Sequence, residues 1–345
     1  MGEVIFSTLM TLNRTVDMSI TNEDVVAAYR LFLQREPESE EAVASWLAST
    51  SSLDQLREGF LRSEEYSQKN FTLKPSMTGL EPPIRAQMDS ELNQGEIEAL
   101  FTEVKKTWTH LGKEDPYWAV LSSDEFHGWE NVKAIERFYA SGANDLALII
   151  NTLERNGVTL PQDAIVVEYG CGLGRVTRHL ASQYHSVIGI DISKTMLDAA
   201  GLYIQAHGIQ NTTLKLLESP EDISNLPVCD MFFSLIVLQH SPPPIISLIV
   251  RNAIKHLNFG GVALFQVPTY IPNYDFRASD CISGCTNDAF KPQHKQYDVH
   301  AIRQKDLFRL IHDTGGVLLE VIENTMLGPI FPGSMSNTLL VQKIH

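Results

Sequence analysis

From Ala164 onward, short β-branched runs alternate with helical stretches, and that alternation constrains the fold more than any other feature of the chain. The runs are Ile165 to Tyr169, Val187 to Ile190, Leu214 to Leu217, Met231 to Ile236, Val262 to Val267, Val317 to Ile322 and Thr338 to Gln342. Strands separated by helical segments pair in parallel, because each crossover helix must pack back on the sheet it left. The expectation is an α/β domain with a seven-stranded, Rossmann-like, largely parallel sheet and helices on both faces.

Between the first run and its helix lies a glycine-rich turn, in the segment IVVEYGCGLGRVTRHLA. Gly170, Gly172 and Gly174 let the chain turn sharply and bring bare backbone against a ligand, and the helix beyond offers unpaired N–H groups. The spacing is G-x-G-x-G, with Arg175 where a dinucleotide site of the form G-x-G-x-x-G has its third glycine. A pyrophosphate over the helix start is therefore disfavoured. One strand on, VIGIDIS places Asp191 at a strand's C-terminal end, where a carboxylate can accept ribose hydroxyls. A tight turn at the glycines and a helix N-cap at Asp191 are the plain alternatives.

The order of strand, glycine loop, helix, strand and acid resembles the class I S-adenosylmethionine-dependent methyltransferases, with VVEYGCGLG as their first motif and GIDIS as their second. The similarity spans Ala164 to Lys343. It implies S-adenosyl-L-methionine as cofactor. The backbone around Gly170, Cys171 and Gly172 would hold the methionine part, Asp191 the ribose, Ile192 the adenine, and Glu168 would orient the loop. An adenine-facing acid usually follows the third strand. Here LKLLESPEDISNLP puts Ser219 at that position with Glu221 beside it, although Glu221 and Asp222 also suit a solvated loop. Ser234 and Leu235, on the fourth strand, would flank the cofactor. LNFGGVALFQV resembles the helix end, Gly-Gly turn and fifth strand of the family.

Methyl transfer from a sulfonium is an in-line displacement, so collinear positioning in a dry pocket is the enzyme's main task. A hydroxyl acceptor also needs a base. His240, after the fourth strand, is the leading catalytic candidate, and a histidine bonded to backbone at a helix start is the plain alternative. His127, in DEFHGWE, is a second candidate, with a surface histidine as its alternative. Trp118, Trp129 and Tyr139 could stack on a ligand or fill core. The long segment after the fifth strand supplies Tyr270, Tyr274, Arg277, Tyr297 and His300 as possible acceptor contacts.

Thr21 to Asn70 reads as a separate all-α unit. Thr21 stands three residues before Asp24, as in a capping box, and helical stripes follow through Val25 to Leu33, Ala42 to Leu47 and Leu53 to Leu61. Tyr29, Arg35, Pro37, Trp46, Phe60, Leu61, Ser63, Glu65 and Tyr66 resemble the signature of a short bacterial helical domain of unknown function related in pattern to phycobilisome linker modules. Gln34 stands where that signature has glycine. The resemblance implies an association with glycan or cell-surface polymer chemistry and a possible protein partner.

The expected organisation is a helical accessory module over 1–70, a linker and helix over 71–115, a helical lid over 116–160 and the cofactor-binding domain over 161–345. A chain of 345 residues favours two domains. Its net charge of -15 disfavours nucleic acid as the main partner. No run approaches the length of a membrane span, and the start lacks a basic region followed by an apolar core, so the expected location is cytoplasmic. Cys171, Cys229, Cys281 and Cys285 are too unevenly spaced for a disulfide framework, and Cys281 and Cys285 for a zinc site; no metal is expected. The leading functional expectation is O-methylation of a saccharide or glycan-linked acceptor. A secondary-metabolite methyltransferase, a non-catalytic scaffold and an oxidoreductase are the alternatives.

Overall fold

A computed structural model describes residues 20–33, 35–61, 63, 65, 92–127, 132–272, 274–283, 298–324 and 333–344. Gln34, Tyr66, Trp129, Cys285, Tyr297 and the Pro75 to Pro83 stretch lie outside the described residues. The chain divides between residues 74 and 75 into two compact units.

The first unit holds three helices, α1 (Asn22–Leu33), α2 (Glu40–Ser49) and α3 (Leu53–Leu61). Its start is the expected capping box: the Thr21 N–H donates to Asp24 at 2.9 Å and the Asp24 N–H to the Thr21 hydroxyl at 3.3 Å. Val25, Tyr29, Leu33, Leu56 and Phe60 form the core, with the Trp46 ring stacked on Phe60 at 4.4 Å. So small a core is marginal by itself. Arg35 adds a brace: its guanidinium grips Glu65 with two 2.6 Å hydrogen bonds and lies 4.9 Å above the Tyr29 ring. The signature residues at 29, 35, 46, 60 and 65 are thus one packing cluster.

The second unit is built on a seven-stranded sheet: β1 (Ile165–Tyr169), β2 (Ser186–Asp191), β3 (Thr212–Leu216), β4 (Cys229–Ser234), β5 (Leu257–Tyr270), β6 (Gly316–Asn324) and β7 (Met335–Lys343). Their spatial order is β3-β2-β1-β4-β5-β7-β6, parallel except for β7, which runs antiparallel to both neighbours. Every run expected as a strand contains one, although β3 stops at Leu216 and β4 at Ser234, short of the ends expected at Leu217 and Ile236. The Gly-Gly turn expected before β5 is instead part of that strand. Gly260 has φ +79°, and a Cβ on Gly261 would lie 2.9 Å from the Asp230 carbonyl, where the β4–β5 register shifts. The chain bulges there and does not turn.

Helices also precede the sheet in this unit. Helix α4 (Gln94–Glu114) opens on a capping box between Asn93 and Glu96, and α5 (Pro116–Val120) follows directly. Helix α6 runs from Val132 to Arg155, within the stretch 116–160 expected to be helical. Leu100, Phe101, Leu111, Ala119, Phe126 and Phe138 join one core with Val167, Phe232 and Phe265 of the sheet. These buried residues of α4, α5, the Phe126 turn and α6 are interior to the same core as the sheet. Beyond β1 and β2 come α7 (Thr177–Gln183) and α8 (Lys194–Ala206). Helix α9 (Pro220–Ser224) follows β3, and α10 (Pro243–Lys255) follows a 3-10 turn over Leu238–His240.

Candidate active site

The strand order reverses direction between β1 and β4, which places a crevice at their C-terminal ends, where open α/β sheets bind ligands. A cavity holding about 1030 Å³ of empty space, its mouth included, occupies that position. Its floor is Glu168 to Gly172 from β1, Asp191 and Ile192 from β2, Leu217 after β3, and Phe233, Leu235, Ile236, Val237, His240 and Ser241 from β4 onward. Its roof is Phe101, Val104 and Trp108 of α4 with Ala119 and Val120 of α5 and the adjoining Leu121.

Each glycine of the loop does a different job. Gly170, Gly172 and Gly174 all have positive φ, at +78°, +52° and +77°, which favours residues without a Cβ. A Cβ at Gly170 would lie 2.4 Å from Val237, so its bareness lets the β1 and β4 loops meet. A Cβ at Gly172 would approach Val120 of the roof at 3.0 Å. Gly174 faces Ala200 of α8 and is not part of the cavity wall; it serves helix packing.

Asp191 is buried and lines the cavity. One carboxylate oxygen accepts the Gly172 N–H and the other the Ser193 N–H, each at 2.8 Å. The first bond pins the glycine loop; the second steadies the start of α8. Burial raises the pKa of the acid, and the N–H donors oppose that rise. Ribose binding and helix capping, alternatives in the sequence, thus share one carboxylate: each oxygen has a further lone pair for a hydroxyl donor.

Glu168 and Arg175 are both buried in the cavity lining. Burial lifts the Glu168 carboxyl to about 8, against a bond from the Thr177 hydroxyl (2.5 Å) and the nearby Arg175 charge. Asp145 and Asp191 push the same way as burial. Arg175 binds Asp145 at 2.6 Å and the Ser141 hydroxyl at 3.1 Å, yet its Nε–H has no partner although it is buried in the cavity wall. A buried donor without an acceptor costs about 1–3 kcal/mol, which an anionic ligand would recover.

The raised Glu168 pKa predicts how stability changes with pH. The folded protein holds this proton up to about 8, whereas the unfolded chain releases it near 4.5, so stability falls as pH rises through that window. Glu168→Gln keeps an acceptor for Thr177 and removes the titration. Without ligand, the variant should melt at the wild-type temperature near pH 4.5 and progressively above it toward pH 8, a gap worth several kcal/mol at most. Parallel melting curves across that range would refute the assignment.

On the β4 side, a chain of side-chain amides reaches His240. The Ile236 N–H donates to Gln266 Oε1 at 3.0 Å, which fixes that amide's orientation because a backbone N–H can only donate. Gln266 Nε2 then donates to Gln239 Oε1 at 3.1 Å and to the Ser336 hydroxyl at 2.5 Å. Gln239 Nε2 in turn faces His240 Nε2 at 3.2 Å, while His240 Nδ1 lies 3.2 Å from the Asp298 carbonyl. An amide N–H can only donate and a carbonyl only accept, so the imidazole carries its proton on Nδ1 and its lone pair on Nε2. The Trp108 ring lies 4.8 Å from the imidazole. Ile236 itself has φ +59°, a strained position for a β-branched residue and one that the Gln266 contact helps to hold. His240 is therefore both bonded to backbone and part of the cavity.

Several expected site residues stand elsewhere. Ser219 caps α9 and its N–H is taken by Asp222, while Glu221 accepts a hydrogen bond from Gln94 at 3.1 Å; neither lines the cavity. Local capping chemistry in S-P-E-D decides that loop. Ser234 is fully buried, with its hydroxyl donating to the Tyr169 carbonyl at 2.9 Å as a strut between β4 and β1. His127 is exposed, bonded to Asp115 at 2.7 Å and stacked on Trp118 at 4.9 Å, away from the cavity. Tyr274 and His300 bond each other at 2.8 Å in the interior, where burial drives the imidazole down to about 3 and keeps it neutral. Glu168, Gly170, Cys171, Gly172, Asp191, Ile192, Leu235 and His240 do come together. Phe101, Val104 and Trp108 of the roof, with Gln239 and Gln266, were absent from the expectation, whereas Ala119 to Leu121 fall within the expected lid. A polar Gln266 inside the apolar run ALFQVP was the available signal.

These residues fit the group that the sequence implied. A carboxylate beside bare loop backbone suits a ribose, Ile192 and Leu217 give an apolar edge for a base, and the orphaned Arg175 donor suits an amino-acid carboxylate. Comparison with known proteins agrees. Residues 166–261 match a family described as a methyltransferase domain. Two curated relatives are ubiquinone biosynthesis O-methyltransferases. The one from Rickettsia prowazekii is 27% identical over 101 residues, which is 29% of this chain and 38% of that protein; the one from Rickettsia typhi is 26% identical over 29% of this chain and 39% of its own. The chain thus spans well under half the length of either relative. Among solved structures, magnesium protoporphyrin IX methyltransferase from Synechocystis PCC 6803 is similar with a TM-score of 0.48 and 17% identity, covering 70% of this chain and 99% of its own. Residues 166–261 thus resemble a methyltransferase domain.

Proposed function

We propose that the protein transfers a methyl group from S-adenosylmethionine to an oxygen acceptor, with His240 as the base. The observation that carries this reading is that one cavity is lined by Asp191, by Arg175 with its unpartnered Nε–H, and by His240. When bound, the cofactor supplies an electrophilic methyl on a sulfonium. The chain's own residues do the rest. Asp191 and the Gly170 to Gly172 backbone hold the nucleoside and amino-acid parts, and the roof of α4 and α5 excludes water. His240 Nε2 takes the acceptor's proton. The O-methyltransferase names of the two curated relatives support an oxygen acceptor.

A saccharide acceptor, suggested by the N-terminal module's resemblance, draws no support from a wall this apolar. The scaffold alternative is opposed by the intact cavity. Calorimetric titration of the full chain with S-adenosylmethionine tests the reading: dissociation constants of about 1–100 μM are expected, equivalent to about 5–8 kcal/mol. No heat at millimolar cofactor would return the protein to the scaffold class.

A further inference from the structure

The cavity is chemically lopsided. Its acidic and basic side chains, Glu168, Arg175 and Asp191, come from β1, the loop after it and the end of β2. The roof and the β4 side are lined by Val104, Trp108, Leu121, Val237 and Ile245, where among the described residues His240, Ser241 and the Trp108 indole N–H add side-chain polarity. We propose that the acceptor is a planar aromatic compound carrying a hydroxyl, a phenol, with its ring against Trp108 and its oxygen at His240 Nε2. This rests on the methyltransferase reading and narrows it.

Two physical arguments lead there. The first is solvation. Each sugar hydroxyl buried against such a wall without a partner costs about 1–3 kcal/mol, so a pyranoside loses more at each hydroxyl than its thin apolar edges return. An aromatic ring has no such penalty, and a ring pair such as one formed with Trp108 adds about 0.5–1.5 kcal/mol beyond area burial. The second is acidity. A phenol ionises near pKa ~10 and an ordinary imidazole near ~6.5, a gap of about 5 kcal/mol. A saturated alcohol is a much weaker acid, close to water itself, which adds several kcal/mol more. A neutral imidazole whose lone pair is held by an amide donor is matched to the more acidic hydroxyl.

The step balances without a further reagent. The phenol O–H bond breaks as Nε2 takes the proton, displacing the Gln239 amide. The phenol oxygen then forms a bond to the methyl carbon while the carbon–sulfur bond breaks, its electron pair remaining on a neutral thioether. Imidazolium releases the proton to solvent on product exit.

The test uses the full chain saturated with S-adenosylhomocysteine for binding and with methyl-labelled S-adenosylmethionine for turnover. Probes are 2-naphthol, its saturated counterpart 2-decalinol, and methyl β-D-glucopyranoside. Naphthol is expected to bind about 100-fold more tightly than the glucoside and to gain label. Decalinol should bind by apolar contact yet gain no label. Trp108→Ala should weaken naphthol at least about 10-fold, and Trp108→Phe should restore it to within about 3-fold. Glucoside binding as tight as naphthol, label on decalinol or the glucoside in place of naphthol, or naphthol affinity indifferent to Trp108→Ala would each overturn the proposal. If S-adenosylhomocysteine binds and no phenol does, only this inference falls. If neither nucleoside binds, the methyltransferase reading falls with it.

Discussion

Asp191→Ala is expected to weaken S-adenosylmethionine binding by about 100- to 1000-fold, a loss of about 3–4 kcal/mol. The carboxylate acts twice. It is the acceptor available to ribose, and it is the partner of two N–H groups, Gly172 and Ser193, each held at 2.8 Å. Truncation leaves both donors unpaired, at about 1–3 kcal/mol each, and frees the loop that must present its backbone to the ligand. Part of that cost falls on stability, so the melting temperature of the variant must be read beside the titration. Asp191→Asn separates the two roles: one oxygen survives to pair an N–H, while the amide end opposes the other donor and offers the ribose a donor where it wants an acceptor. The asparagine variant should therefore melt above the alanine variant yet bind cofactor nearly as poorly. If Asp191→Ala bound within about threefold of wild type, the acid would be a helix-start residue alone.

The sheet was legible because its signal is local. Each strand is a short β-branched run bounded by breakers, and the glycine loop and Asp191 sit at strand ends where topology leaves little choice of neighbour. The roof was not legible for the opposite reason. Val104 and Trp108 lie on an amphipathic helix whose apolar face looks the same whether it meets core or covers a ligand, and the loop it covers begins more than sixty residues later. Trp108 resembles a core residue in every local respect; its contact with His240 exists only in three dimensions. Ser219 and Glu221 failed differently. A family position suggested an adenine contact there, but Ser-Pro-Glu-Asp is also a helix start, and the capping bonds to Asp222 determine where those side chains go. The amide relay joins residues 236, 239, 266 and 336, and no spacing rule links a strand-interior glutamine to a histidine twenty-six positions earlier. What could be read was that a glutamine in a buried strand must find partners.

That relay makes the second large prediction sharper than removal of a base alone. His240→Ala should lower turnover on an oxygen acceptor by about 10²- to 10⁴-fold, the usual contribution of general base catalysis, with cofactor affinity changed by less than about threefold. A loss confined to KM would mean that the ring merely packs against the acceptor. The wild-type rate should rise with pH as the imidazole loses its second proton, and the variant should lack that limb. Gln239 supplies the control. In the native arrangement its amide donates to Nε2 and is itself oriented by Gln266, which disfavours a proton at Nε2. Gln239→Glu replaces that donor with a carboxylate, which stabilises imidazolium and must move the rising limb to higher pH. Gln239→Leu removes both influences and should broaden the orientation of the ring, lowering turnover. A merely structural Gln239 would change the height of these profiles without moving them along the pH axis, so superimposable normalised profiles for wild type and Gln239→Glu would sever the amides from the chemistry.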